Sequence, residues 1–198
     1  MLFVLGFNIR GYERLPKHGP LLVVANHNSH LDALALMTLF GLRRLKHVRP
    51  VAAADYFMRN SVVAWFSTKI IGIIPLNRDA KRDGKQHPLQ PISDALDANQ
   101  IVILFPEGSR GEPEQLEEFK TGIVHIAKRH TDVDIVPIFM HGFGKSLPRG
   151  EALLVPFICD LYIGESMSWT GQRDTFMNSL NERMQSLSDQ AAHHRDAW

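Results

Sequence analysis

Leu21 to Ala25 (LLVVA) and Ile101 to Phe105 (IVILF) are short runs with no polar residue on either alternation. A strand buried on both faces of a sheet needs that pattern, and each run is too short for a typical helix. Pro20 precedes the first and Pro106 follows the second, so both are punctuated as strands. Val48 to Ala54, Ile73 to Leu76 and Ile135 to His141 are further strand candidates, and Ala152 to Gly164 holds one or two more. Segments with helical spacing lie between them. The first opens at Ser29 as N-cap, with Asp32 three residues on, and runs to Gly41. Others are Phe57 to Ile70, Pro91 to Asn99, Leu116 to His130 and a closing amphipathic helix over 172–190, with 191–198 as a loose tail. Strands alternating with helices predict an α/β fold: a single-domain sandwich, residues 1–198, with a central, mostly parallel sheet flanked by helices.

Composition narrows the function. With 44% hydrophobic residues a substantial core forms, and a net charge of +1 lacks the basic footprint of a nucleic-acid binder. Ten histidines carry no His-Glu-x-x-His or paired-cysteine spacing, so no metal site is expected. The one cysteine, Cys159, lies in an apolar run and reads as a buried thiol. No Gly-x-Ser-x-Gly elbow marks a serine hydrolase, and HGFGKS at 141–146 has Phe139 where a P-loop needs glycine. No stretch reaches transmembrane length, so work on a lipid would proceed from the surface.

Asn26-His27-Asn28-Ser29-His30-Leu31-Asp32 directly follows a buried strand. A turn there sits at the mouth of an α/β sheet. Histidine can take a hydroxyl proton near neutrality, and a carboxylate such as Asp32 would fix its tautomer and stabilise the imidazolium. A surface loop followed by a helix-capping aspartate has the same spacing. Phe105-Pro106-Glu107-Gly108-Ser109-Arg110-Gly111 follows another strand, with an arginine fork suited to phosphate or carboxylate. Pro75-Leu76-Asn77-Arg78 repeats the arginine at a strand end, and Phe119-Lys120-Thr121-Gly122 adds a lysine. Each alone also reads as an ordinary polar turn or surface cation.

Taken in order, these blocks resemble the glycerophospholipid acyltransferases, best known through the 1-acylglycerol-3-phosphate acyltransferases. The carrying residues are Asn26, His27 and Asp32; Ile74, Pro75 and Arg78; Phe105 to Arg110 with FKTG at 119–122; and Val136, Pro137 and Ile138. The resemblance spans about residues 11–164. It implies His27 as general base and Asp32 as its partner, with direct attack of a lysolipid hydroxyl on an acyl thioester. It implies Arg78, Glu107, Gly108, Arg110 and Lys120 around the acceptor's phosphate, with Asn26, Pro106 and Ser109 in support. The acceptor implied is 1-acyl-sn-glycerol-3-phosphate, giving phosphatidic acid; the donor is acyl-CoA or acyl carrier protein, a co-substrate rather than a cofactor. One departure is plain. Where relatives carry Val-Ala-Lys-x-Glu, this chain has Val51-Ala52-Ala53-Ala54-Asp55, without the lysine, and Lys46 or Arg59 are the candidate replacements.

Other readings remain open on the residues alone: another lysolipid or glycerol-3-phosphate as acceptor, a thioester or lipid hydrolase, and a non-catalytic lipid-binding protein. Relatives often begin with a membrane-docking segment. The expectation is that one is missing here, or that a fused or partner membrane protein supplies it. Within the chain, Phe3, Val4, Leu5 and Phe7 with Arg43, Arg44, Lys46 and Arg49 are the candidates for peripheral docking at the cytoplasmic face of a membrane.

Overall fold

The computed structural model describes residues 6–29, 31–54, 61–77, 87–109, 111, 115–142 and 158–195. In chain order the elements are β1 (Gly6–Arg10), β2 (Leu21–Ala25), α1 (Asp32–Thr38), α2 (Gly41–Leu45) and β3 (Val48–Ala53). Next come α3 (Ser61–Trp65), which widens into a π-helical stretch at Phe66–Ile71, then β4 (Ile74–Leu76) and α4 (Gln90–Asp97). The series closes with β5 (Ile101–Leu104), α5 (Gly122–Arg129), β6 (Asp134–His141), β7 (Ile158–Ile163) and α6 (Arg173–Arg195).

The strands form one seven-stranded sheet in the order β1-β7-β6-β2-β5-β3-β4. Every neighbouring pair is parallel except β6 with β7. This is the α/β architecture that the alternation of runs predicts. β2 lies between β5 and β6, with Val24 level with Leu104 on one side and Pro137 on the other. Its residues therefore feed two cores. Leu22 and Val24 join α4, α5 and α6 through Ile92, Ile123 and Phe176, whereas Leu21 and Val23 join α1 and the turn after it through Leu36 and Phe40. A strand that must satisfy apolar layers on both faces has no place for a polar residue. Cys159 belongs to the second core and is a buried free thiol.

Several local expectations are corrected. Gly6–Arg10 is an edge strand parallel to β7, and Phe7 packs on the core instead of standing free for docking. Phe3, Val4 and Leu5 lie outside the described residues. The helix expected from Leu116 begins only at Gly122. Residues 115–120 run without helical structure, because Phe119 is buried and the Lys120 N–H donates to the Pro106 carbonyl (2.9 Å). The expected tail at 191–198 is helical to Arg195, with Ala191 buried. Ser29 does not cap the first helix: α1 starts at Asp32, and the Ser29 hydroxyl accepts from the Leu31 N–H at 3.3 Å. The basic run forms α2, where Arg44 donates to the Pro16 carbonyl, while Arg49 in β3 donates to Gln100.

Candidate active site

The ends of β2 and β5 are neighbours in a parallel pair, so the loops leaving them meet at one edge of the sheet. A crevice at the carboxyl ends of parallel strands is where α/β folds place their chemistry. Asn26 leaves β2 fully buried and clamps to β6: its side-chain amide donates to the Met140 carbonyl (3.0 Å) and accepts from the Met140 N–H (2.7 Å). Asn28 donates to the same carbonyl at 3.1 Å. Between these two asparagines, His27 is held from both of its backbone groups. Its N–H donates to Glu107 Oε2 (3.0 Å), and its carbonyl accepts from the Gly111 N–H (3.1 Å).

The side chain of His27 is equally constrained. Its ring stacks on Phe105, centroids 4.3 Å apart and planes 21° from parallel. Nδ1 lies 3.0 Å from Asp32 Oδ2. A carboxylate only accepts, so Nδ1 donates the proton, and in the neutral imidazole Nε2 then holds the lone pair. The His27 side chain is 24% exposed and that of Asp32 is fully buried, so the base faces solvent and its partner does not. Oδ2 of Asp32 also accepts from the backbone N–H groups of Asn28 (2.6 Å) and Ser29 (2.7 Å). These two short bonds offset the cost of burying a charge and fix the carboxylate in place. Asp32 thus closes the loop as a cap would and orients His27 with the same oxygen.

Glu107 is 4% exposed at the tip of the second loop. Burial pushes its carboxyl up from 4.5 to about 7, against the lowering effect of the His27 and Glu117 backbone N–H groups; the charges of Glu117 and Asp32 add to the rise. Gly108 follows with φ of 74°, a left-handed conformation, and a Cβ there would run into the Lys120 side chain. The left-handed conformation favours glycine here, and the lysine side chain crosses the space a Cβ would take. Pro106 is buried and its carbonyl holds the Lys120 N–H, whereas the Lys120 and Ser109 side chains are on the surface. The structure thus brings together Asn26, His27, Asp32, Pro106, Glu107, Gly108, Ser109 and Lys120. Arg78, Arg110 and His30 lie outside the described residues. Phe105, Asn28 and the Gly111 N–H also contribute; the sequence motifs contain these residues without giving them a role. The asparagines flanking His27 were the available signal, since a polar pair at a buried strand end must find partners.

A sequence model of the acyltransferase family matches residues 6–141, which includes every residue of this site. The chain belongs to the acyltransferase family. Among relatives in this acyltransferase family, the chloroplastic 1-acyl-sn-glycerol-3-phosphate acyltransferase of Arabidopsis thaliana is 32% identical over 145 residues, 73% of this chain and 38% of that protein. The 1-acyl-sn-glycerol-3-phosphate acyltransferase alpha of Ovis aries is 29% identical over 183 residues, 92% of this chain and 61% of that protein. The chain therefore spans less than two thirds of the length of either. The crystal structure of the 1-acyl-sn-glycerophosphate acyltransferase of Thermotoga maritima has the same fold, with a TM-score of 0.73 at 21% identity over 94% of this chain and 72% of that one.

Proposed function

We propose that this protein transfers a fatty acyl group from a thioester to the free hydroxyl of 1-acyl-sn-glycerol-3-phosphate, giving phosphatidic acid. The observation that carries the reading is the buried Asp32 holding Nδ1 of a solvent-facing His27. In this reading Nε2 takes the hydroxyl proton as the oxygen attacks the thioester carbonyl. The carbon–sulfur bond then breaks, and the proton passes from Nε2 to the leaving thiolate. Asp32 stabilises the imidazolium in between. Phe105 limits the ring to the rotation that keeps the Asp32 bond. No cofactor is required, since the thioester supplies the activated acyl group; acyl-CoA and acyl carrier protein are both suitable carriers. Names of relatives such as the Arabidopsis thaliana and Ovis aries proteins support 1-acyl-sn-glycerol-3-phosphate as acceptor.

Arg78 and Arg110 complete the acceptor site as phosphate ligands, each reached at the end of a strand run, with Gly108 leaving room for Lys120 alongside. Glu107 acts chiefly as the brace of the His27 backbone, and its raised pKa follows from that buried post. The whole chain works as one acyltransferase unit. The reaction belongs at the cytoplasmic face of a membrane, where a lysolipid meets a thioester carried by CoA or acyl carrier protein. The test is incubation of purified protein with a labelled acyl thioester, with and without 1-acyl-sn-glycerol-3-phosphate, read by mass spectrometry. Acceptor-dependent phosphatidic acid is the expected product. Free fatty acid formed equally without acceptor would make the protein a hydrolase and overturn the reading.

A further inference from the structure

The connection between β3 and β4 is built inside out. Along α3 and its π-helical continuation, Trp65, Phe66 and Ile70 are 58%, 49% and 59% exposed, and Val62 one turn earlier is 70% exposed. Ser67, by contrast, is buried at 3%. The spacing of 62, 65, 66 and 70 puts the apolar side chains along one stripe of a helix. An ordinary surface helix turns such a stripe inward. Here Ser67 and Ile71 face the protein, Ile71 packing on the core that α1 shares, while an indole, a phenyl ring and aliphatic chains face solvent.

The stripe is part of a larger asymmetry. The other large exposed apolar side chains among the described residues are Ile9, Tyr12, Leu34 and Leu42. Ile9 shares the face of β1 that Phe7 packs into the second core, and the Tyr12 hydroxyl donates to the Leu39 carbonyl beyond α1. Leu34 and Leu42 lie on α1 and α2, whose inner residues also belong to that core. All of them therefore sit on one side of the sheet, and none is on α4, α5 or α6 on the other.

Charge follows the same division. Between Ala33 and Asn77 the sequence holds six Lys or Arg and a single acidic residue, Asp55. Helices α4, α5 and α6 hold five acidic residues against five Lys or Arg. Arg43, Lys46 and Lys69 are exposed on the apolar side. Exposed apolar side chains on one side of the sheet, a tryptophan among them and cations beside them, match the boundary of an anionic bilayer, where an indole occupies the interface and cations meet headgroup phosphates. It does not match a second copy of this chain, because the same cations would face one another across a two-fold contact.

We propose that the layer formed by α1, α2 and α3 with its π-helical continuation is a membrane-docking face, with Trp65, Phe66 and Ile70 entering an anionic leaflet. This rests on the lipid-acyltransferase reading for its purpose, not for its geometry. The strands β2, β3, β4 and β5 run parallel, so α1 begins at the sheet end where His27 opens and the chain leaves β3 toward α3 at that same end. Docking on this face brings the leaflet alongside the site. Of the apolar residues first expected to dock, Phe7 is committed to the core, and Phe3, Val4 and Leu5 lie outside the described residues.

The experiment is co-sedimentation of the whole protein with phosphatidylcholine vesicles with and without phosphatidylglycerol, at low and high salt. Binding should require phosphatidylglycerol and weaken with salt. The variant Trp65→Ser/Phe66→Ser/Ile70→Ser, and separately Arg43→Glu/Lys69→Glu, should each lower partitioning by at least about tenfold with unchanged circular dichroism. Lys128→Glu/Arg129→Glu on α5 should leave it unchanged. A second readout uses Trp169→Phe/Trp198→Phe, leaving Trp65 as the reporter, which brominated acyl chains should quench. Undiminished sedimentation of the serine variant, or an unquenched Trp65, would overturn the proposal. So would a lipid-free dimer in light scattering that the serine variant dissolves. Vesicle binding is read without any turnover, so a failure of the enzymatic reading would leave it standing. Conversely, activity on a short-chain, water-dispersed acceptor should survive both sets of substitutions.

Discussion

The backbone N–H of His27 donates to Glu107 Oε2 at 3.0 Å, a bond between residues 80 positions apart that ties the loop after β2 to the loop after β5. The carboxylate bonded to the His27 imidazole, Asp32, comes from the same loop; the one bonded to its backbone comes from the other. The candidate base is thus fixed at both ends by acids with separate tasks, and the two can be tested separately.

Asp32→Asn should keep the loop closed and lose the imidazolium partner. The amide oxygen can still accept from the Asn28 and Ser29 N–H groups, so stability should fall little. Turnover should fall by roughly two to four orders of magnitude. Asp32→Ala should in addition cost about 1–3 kcal/mol, because two buried N–H donors lose their acceptor. Steady-state kinetics and urea unfolding on both variants check this. Equal stability loss in both, with turnover intact in the first, would make Asp32 a cap and nothing more.

Glu107 makes stability depend on pH. Its carboxyl titrates at about 7 in the folded protein against 4.5 for the free side chain. Between those values the folded state holds a proton that the unfolded state has released, so stability declines as pH rises from about 4.5 to 7 and stays lowered above it. A shift of that size corresponds to on the order of 3 kcal/mol. Glu107→Gln has no proton to lose, so its stability relative to wild type should climb by about that amount between pH 4.5 and 8. Parallel profiles for the two proteins in urea denaturation would contradict the buried-carboxyl account.

Arg78→Lys and Arg110→Lys keep the charge and remove the planar fork. Each should raise KM for a phosphate-bearing acceptor by roughly tenfold or more, with little effect on a phosphate-free lysolipid. Comparison of the two acceptor classes provides the check. Equal losses on both would assign the arginines a structural role.

The fold was legible where burial on two faces leaves no freedom. LLVVA and IVILF read as central strands because Leu21 and Leu22 feed different cores. The His27–Asp32 pair was legible because five residues of local chain suffice to bring Nδ1 to Oδ2. The Glu107 brace was not, since it depends on the register that sets Val24 beside Leu104, and register is a property of the paired sheet. The late start of α5 escaped because Leu116, Phe119 and Ile123 have helical spacing. An extended segment buries Phe119 just as well once the Lys120 N–H is held by Pro106. The outward stripe at Trp65 and Phe66 escaped because periodicity gives a helix's apolar face without saying which way it turns.

The most direct measurement of the central claim is single-turnover acyl transfer by purified His27→Ala, with labelled acyl thioester, 1-acyl-sn-glycerol-3-phosphate and mass-spectrometric detection of phosphatidic acid. Circular dichroism run in parallel establishes that the fold is kept, and His30→Gln serves as the neighbouring control. If His27 is the general base, the rate falls by roughly two to four orders of magnitude while His30→Gln stays near wild type. A folded His27→Ala protein that transfers acyl groups at near wild-type rate would contradict the account.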